Sequence, residues 1–204
     1  MEATFKSEPF PHVLMSNFYS PEECDEVWRE LKRLSKMLLP PEQVGPAFSI
    51  DTDGQKVLKK NNLSVFLSLV YKSRLASPIW SLTRKFFDKE FMARCFDLNF
   101  FFAYLPQTNY DDVLVQFYGD GQYYQPHKDR TTFSVITNFS SDPREYSGGV
   151  LRFTEFDYAV DLKRNESILF PSFVEHEVTP VSLQVDDVMK HRITITTFIG
   201  LNNL

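Results

Sequence analysis

His127-Lys128-Asp129 places an imidazole and a carboxylate two residues apart. On an extended chain, residues i and i+2 point to the same side, so both groups can grip one ion. The chain has four histidines, and His176, in a separate β-like segment, offers a third ligand. Two histidines and one carboxylate on one face of a metal leave three coordination positions open. That arrangement suits a non-haem iron(II) centre, which needs free positions for a co-substrate and O2. Taken alone, His-x-Asp also fits two polar residues at a strand edge, and a lone histidine also fits a core or surface position.

Arg192 is the next residue of chemical interest. It opens a segment, Arg192 to Ile199, whose alternation puts Arg192, Thr194, Thr196 and Phe198 on one face and Ile193, Ile195, Thr197 and Ile199 on the other. A buried arginine needs an anionic partner, because an unpaired buried charge is costly. A dicarboxylate held by the planar guanidinium fork would supply one. An ordinary Arg–Glu surface pair is the alternative.

The elements that must position these groups change character near residue 97. Before it, Phe10 to Phe18 reads as a short strand. Ser20-Pro21-Glu22-Glu23 then opens a helix, with a capping serine, a proline at the first position and a glutamate that completes a capping box. Cys24, Val27, Trp28, Leu31 and Leu34 form its apolar stripe, and Pro40-Pro41 stops it. Residues 40–61 carry Pro, Gly and Asp without a clean period and read as a long loop, a candidate lid. A helix is expected over Leu63 to Leu75. Another begins at Ser77-Pro78, with Ile79, Leu82, Phe86 and Phe87 as its apolar face.

After Asp97 the pattern becomes that of strands: Asn99 to Leu105, Val113 to Tyr118, Thr132 to Phe139, Val150 to Phe156, Tyr158 to Leu162, Ser167 to Phe170, Glu177 to Val181 and Arg192 to Ile199. Gly119-Asp120-Gly121 is a turn. Helices first and strands later predict an α+β chain, with helices packed on one sheet of a jelly roll, the double-stranded β-helix.

At this point the chain resembles the 2-oxoglutarate- and iron(II)-dependent oxygenases of the prolyl-4-hydroxylase type. The matching stretches are Tyr118 to Asp129 (YGDGQYYQPHKD), Ser141 to Phe153 (SDPREYSGGVLRF), Ile168 to Pro171 ahead of His176, and His191-Arg192-Ile193-Thr194. They cover residues 113–200, and the opening Pro9 to Leu14 and Asn17 to Cys24 also resemble the usual start of such proteins. Residues 35–96 match nothing recognisable. The resemblance implies that His127, Asp129 and His176 bind iron and that Arg192 pairs with the distal carboxylate of 2-oxoglutarate. It implies that Tyr118 and Tyr124 line the co-substrate pocket, though plain core packing suits them equally. Thr137 would help hold the carboxylate, with Phe133, Val135 and Phe139 lining the pocket beside it. Gly148-Gly149 would serve a tight turn or close backbone approach. Ser182 to Lys190 reads as an inserted acidic loop, which makes Lys190 a rival to Arg192 for the anion.

The activity implied is hydroxylation of an unactivated C–H bond with release of succinate and CO2, with O2 as oxidant and ascorbate as a possible aid. Proline, as a free or peptidyl amino acid, is the first substrate to consider. Asp129 argues against the halogenating variant, which lacks the carboxylate. An AlkB-like nucleic-acid demethylase is the second reading; there a further arginine would stand where this chain has Phe198. A non-catalytic jelly roll that binds a ligand or partner is the third. Arg130, Arg152 and Phe100 to Phe102 are further candidates for substrate contact.

Bulk composition is compatible with these readings. A chain of 204 residues suffices for a single oxygenase domain, 1–204, with 1–96 as a mainly helical flank and 97–204 as the β-core. Apolar residues make up 43% and charged residues 24%, as in ordinary globular proteins. The formal net charge of −5 shows no basic footprint for nucleic acid, and Lys59-Lys60 is too short to make one. Two cysteines, Cys24 and Cys95, form neither a zinc cluster nor a disulfide framework. The charged N-terminus lacks an apolar signal segment, and the most apolar run, Leu98 to Leu105, is too short to span a bilayer. The expectation is a soluble cytoplasmic protein acting on a small molecule or peptide.

Overall fold

The computed structural model describes residues 1–44, 48–50, 53–185 and 187–201. Its frame is a seven-stranded antiparallel sheet in the order Glu2–Lys6, His12–Ser16, Glu166–Pro171, Phe133–Asn138, Arg192–Gly200, Tyr110–Tyr118 and Leu63–Phe66. A second, four-stranded sheet runs Tyr158–Val160, Leu151–Phe153, His176–Val178 and Tyr124–His127. Two short ribbons pair Tyr146–Gly148 with Val181–Leu183 and Phe48–Ile50 with Lys56–Leu58. This mixture of helices on a two-sheet β-core is the α+β double-stranded β-helix expected. No helix among the described residues is long and apolar enough to cross a membrane.

The large sheet is covered on both faces, which is why Phe133–Asn138 is buried at every position. One face, with Val113, Val115, Phe117, Phe133, Val135, Ile193 and Ile195, packs against Val27, Leu31, Ile79 and Phe102 of the helical layer. The other face contributes Tyr118, Ile136, Ile168 and Phe170 to a second core shared with Leu151, Phe153 and Val178 of the small sheet. Burial of each such side chain contributes roughly 1.5–3 kcal/mol. The space between the sheets, where the even-numbered residues of the last strand point, is where a site can form.

The helix Pro21–Leu34 begins as its sequence demands. Ser20 Oγ accepts from the Glu23 N–H, and Glu23 Oε2 accepts from the Ser20 N–H at 2.8 Å. It ends at Leu34, before Pro40, and Pro41 instead opens a four-residue helix, Pro41–Val44. The expected loop 40–61 thus contains that helix and the ribbon; residues 45–47, 51 and 52 lie outside the described set. Asp186 of the acidic loop also lies outside it.

Two expectations fail. Leu63 to Leu75 is not one helix. Leu63–Phe66 is an edge strand paired with Leu114 to Phe117, followed by the short helix Leu67–Val70 and a 3-10 turn at Arg74–Ala76. Its apolar residues satisfy both periods, and tertiary pairing decides. Asn99 to Leu105 is not a strand but part of a 3-10 helix, Phe100–Gln107. Asn99 Oδ1 accepts from the Phe101 N–H at 2.9 Å, and Phe102 and Leu105, three residues apart, are the buried positions. Residues 1–96 therefore hold helices but also give three strands to the large sheet, and Glu2–Lys6 was not anticipated at all.

Candidate active site

The backbone brings the two histidines together. His127 ends one strand of the small sheet, and His176 begins its antiparallel neighbour directly opposite. Their ring centroids are 4.3 Å apart. Asp129 lies just past the end of the strand, where its N–H donates to the Ser172 carbonyl at 3.0 Å. Its side chain then reaches both rings: His127 Nε2 is 3.7 Å from Oδ1 and His176 Nε2 is 3.6 Å from Oδ2. One ligand atom from each residue falls within 4.8 Å of the others. The 3.7 and 3.6 Å separations from Asp129 lie under the ~4.2 Å that two atoms each ~2.1 Å from one ion can span.

The surroundings prepare the atoms as ligands. His127 Nδ1 donates to the Gln125 carbonyl at 2.8 Å and His176 Nδ1 to the Val174 carbonyl at 3.0 Å. Each Nε2 lone pair is thereby turned toward Asp129. Burial, and then the nearby His176, push the His127 imidazole down to about 2, so it stays neutral and able to coordinate. Ser134 Oγ donates to Asp129 Oδ2 at 2.5 Å and lies 2.8 Å from Ser172 Oγ, which fixes the carboxylate.

The three residues lie at the wall of a cavity of about 350 Å³ between the sheets. Arg192, Thr194, Thr196 and Phe198 all line it, as the alternation of the last strand requires. Arg192 is 2% exposed, its guanidinium carbon lies 5.0 Å from the centroid of the Tyr118 ring, and its Nη1 has no hydrogen-bond partner among the described residues. A buried, orphaned guanidinium nitrogen is a group that an anionic ligand in the cavity would satisfy. Tyr118 lines the same cavity; its hydroxyl accepts from Gln116 Nε2 at 3.0 Å, and burial raises it to about 12. The phenol is therefore neutral and keeps its own proton to donate. Tyr124 also lines the cavity and stacks on His127 with ring centroids 3.6 Å apart. Burial raises its phenol as well.

Thr137 does not join this group. Its hydroxyl is 2.7 Å from Ser167 Oγ on the neighbouring strand, and Phe133, Val135 and Phe139 pack in the core on the helix side of the sheet. The cavity takes Ile136, and Ser134 reaches Asp129. The expectation was one residue out of phase, which on a strand exchanges faces. Lys190 does not compete with Arg192; it pairs with Glu145 away from the cavity. Arg152 is 3.5 Å from Glu177 in an ion pair on the small sheet, whereas Arg130 lines the cavity. Phe101 and Phe102 pack on Phe133, and Phe100 is exposed.

Several residues in or behind the site were not anticipated. Gln116 could have been found, since it stands two residues before Tyr118 on one strand face and accepts from Thr196 Oγ1 at 2.9 Å. Ser134 and Ser172 carry no local signal. Lys60, passed over as part of a short basic pair, is 4% exposed and lines the cavity. Burial lowers its ammonium to about 8, with Asp129 acting in the opposite direction.

Residues 113–200 match the model of the 2OG-Fe(II) oxygenase superfamily. A PKHD-type hydroxylase of Azoarcus sp. (strain BH72) is 34% identical over 97 residues, which is 41% of this chain and 42% of that protein, so the match spans under half of the relative's length. Among solved structures, a prolyl-4-hydroxylase from Pseudomonas putida superposes with a TM-score of 0.62 at 16% identity, covering 94% of this chain and 93% of its own. The viral collagen prolyl hydroxylase of Paramecium Bursaria Chlorella virus-1 gives 0.60 at 16% identity over 94% of this chain and 96% of its own. The fold is thus the double-stranded β-helix of prolyl-4-hydroxylase-like proteins. The resemblance read from the sequence holds: the chain is similar to 2OG-Fe(II) oxygenases, and the match falls on the segment that carries His127, Asp129, His176 and Arg192.

Proposed function

We propose that this protein is an iron(II)- and 2-oxoglutarate-dependent dioxygenase that hydroxylates an unactivated C–H bond of a free or peptidyl amino acid. The reaction consumes O2 and 2-oxoglutarate and releases succinate and CO2. The observation that carries this reading is the sharing of one cavity by three clustered ligand atoms and an orphaned, buried guanidinium nitrogen. A metal and a dicarboxylate are the two ligands such a cavity would complete.

In this reading His127, Asp129 and His176 hold iron(II), which supplies the activation of O2. Arg192 would receive the distal carboxylate of 2-oxoglutarate through a charge-assisted contact to its unpartnered Nη1. Tyr118, positioned by Gln116, donates its hydroxyl proton to the same carboxylate. Tyr124 lies flat against His127 and holds the ring in its coordinating orientation. The domain is taken as 1–204, with the helical layer supporting the large sheet.

Incubation of the full chain with iron(II), ascorbate and 2-oxoglutarate is expected to give slow succinate formation without substrate. The His127→Ala, Asp129→Ala double variant should lose both that turnover and its bound iron. Succinate formation equal to wild type in the double variant would overturn the reading. Failure of the wild type to hold iron(II) after anaerobic reconstitution would favour a non-catalytic binding module.

A further inference from the structure

The charges around the cavity do not balance. Asp129 is the one carboxylate among its described lining residues, whereas Lys60, Lys128, Arg130 and Arg192 all line it. Lys128 is already paired, 2.8 Å from Glu155. With the site loaded as proposed above, a divalent metal, Asp129, a dianionic co-substrate and Arg192 cancel one another. Lys60 and Arg130 are left without a counter-charge.

Lys60 carries the argument. It is 4% exposed and its backbone forms an isolated bridge to Tyr124. Its Nζ lies 5.6 Å from the centroid of the Tyr124 ring, which in turn stacks on His127. Among the described residues its ammonium makes no hydrogen bond and no ion pair. Its neighbour Lys59 differs, since Lys59 Nζ donates to the Pro126 carbonyl at 2.9 Å. An ammonium on a largely buried side chain, with only an aromatic face beside it, lacks a contacting counter-charge, and a cavity ligand is what can supply it. Arg130, exposed at the rim and also unpaired among the described residues, adds a second cation on the approach. Phe66 and Phe198, with ring centroids 6.1 Å apart, make an apolar wall of the same cavity.

We propose that the substrate carries its own carboxylate, received by Lys60 with Arg130 at the rim, while an apolar body lies against Phe66 and Phe198. A free amino acid, a C-terminal residue or an acidic side chain meets this requirement, and an internal neutral residue does not. The proposal rests on the oxygenase reading. A carboxylate beside Lys60 has two conceivable sources, the substrate and the metal-proximal end of 2-oxoglutarate. The substrate is favoured because the co-substrate's charge is already matched by the metal and Arg192.

The test measures binding to the full chain loaded with manganese(II) and 2-oxoglutarate, so that no turnover intervenes. The probes are matched acids and carboxamides: N-acetyl-L-proline, N-acetyl-L-leucine and N-acetyl-L-phenylalanine, each beside its amide, together with the free amino acids and their amides. At least one acid should bind about ten-fold tighter than its amide, the scale of one charge-assisted contact. Lys60→Met, which replaces a buried ammonium by an apolar side chain of similar length, should remove that preference, and Lys60→Arg should restore part of it. No acid preference in the wild type, including no binding by any acid, overturns the proposal. An undiminished preference in Lys60→Met overturns it as well. A ten-fold loss of 2-oxoglutarate affinity in Lys60→Met, with acid preference kept, would assign Lys60 to the co-substrate instead. Failure of the oxygenase reading shows separately, as an absence of succinate in the iron(II) assay.

Discussion

Asp129 is placed to serve as a ligand because its carboxylate is turned toward the two imidazoles, and Ser134 is the residue that holds it there. The short hydroxyl contact from Ser134 Oγ to Oδ2, continued to Ser172, leaves Oδ1 toward His127. Partners of this kind are typically worth 10–100-fold in metal affinity. Ser134→Ala is therefore expected to weaken manganese(II) binding by roughly ten-fold or more, while the buried alanine leaves the sheet intact. Equal affinity in a metal titration of the two proteins would show that the carboxylate needs no such support. That His127, Asp129 and His176 fall together was legible from the ordered motifs around them, since His-x-Asp alone carries little. Ser134 was not, since a serine in a strand carries no mark of which oxygen it will meet. Lys60 was illegible for a different reason: its burial depends on the bridge to Tyr124, more than 60 positions away in the chain.

Strands of the β-core were read well where turn residues bounded them, as at Val113 to Tyr118 and Arg192 to Ile199. They were read poorly where packing on both faces erased alternation. Phe133–Asn138 is the instructive case, because a strand buried throughout gives no phase, and Thr137 was assigned to the wrong side. The Gly148-Gly149 turn shows how an element's geometry reaches the chemistry. Gly149 has φ +62°, and a Cβ there would come within 2.3 Å of Arg192 Cδ and 2.8 Å of its Nε. Gly149→Ala is thus expected to displace the guanidinium as well as strain the turn, the strain alone costing about 1–2 kcal/mol. The 2-oxoglutarate affinity should fall by about ten-fold, the order of one charged hydrogen bond, with manganese(II) affinity kept. Calorimetric titration of both ligands checks it; an unchanged 2-oxoglutarate affinity would mean that Arg192 has room to move aside.

At the scale of the whole molecule, His127 and His176 stand on the small sheet, with Asp129 just past its end, and Arg192 stands on the large one, so the two ligands proposed for the cavity would tie the sheets together. A ligand that binds only the folded chain stabilises it by mass action, by about 2.7 kcal/mol at a concentration of 100 times Kd. For a chain of this size each kcal/mol moves the melting temperature by roughly 2–4 °C. Saturating manganese(II) with 2-oxoglutarate is accordingly expected to raise the melting temperature by about 5–10 °C. The division of that rise between variants identifies its origin. Arg192→Met should keep the metal's increment and lose that of 2-oxoglutarate, because the dicarboxylate then has no distal anchor. Asp129→Ala should lose both if, as proposed, the co-substrate binds together with the metal. A 2-oxoglutarate increment that persists in Asp129→Ala would show that Arg192 binds the dicarboxylate without a metal, and the coupling of the two sheets through one ligand pair would then be wrong.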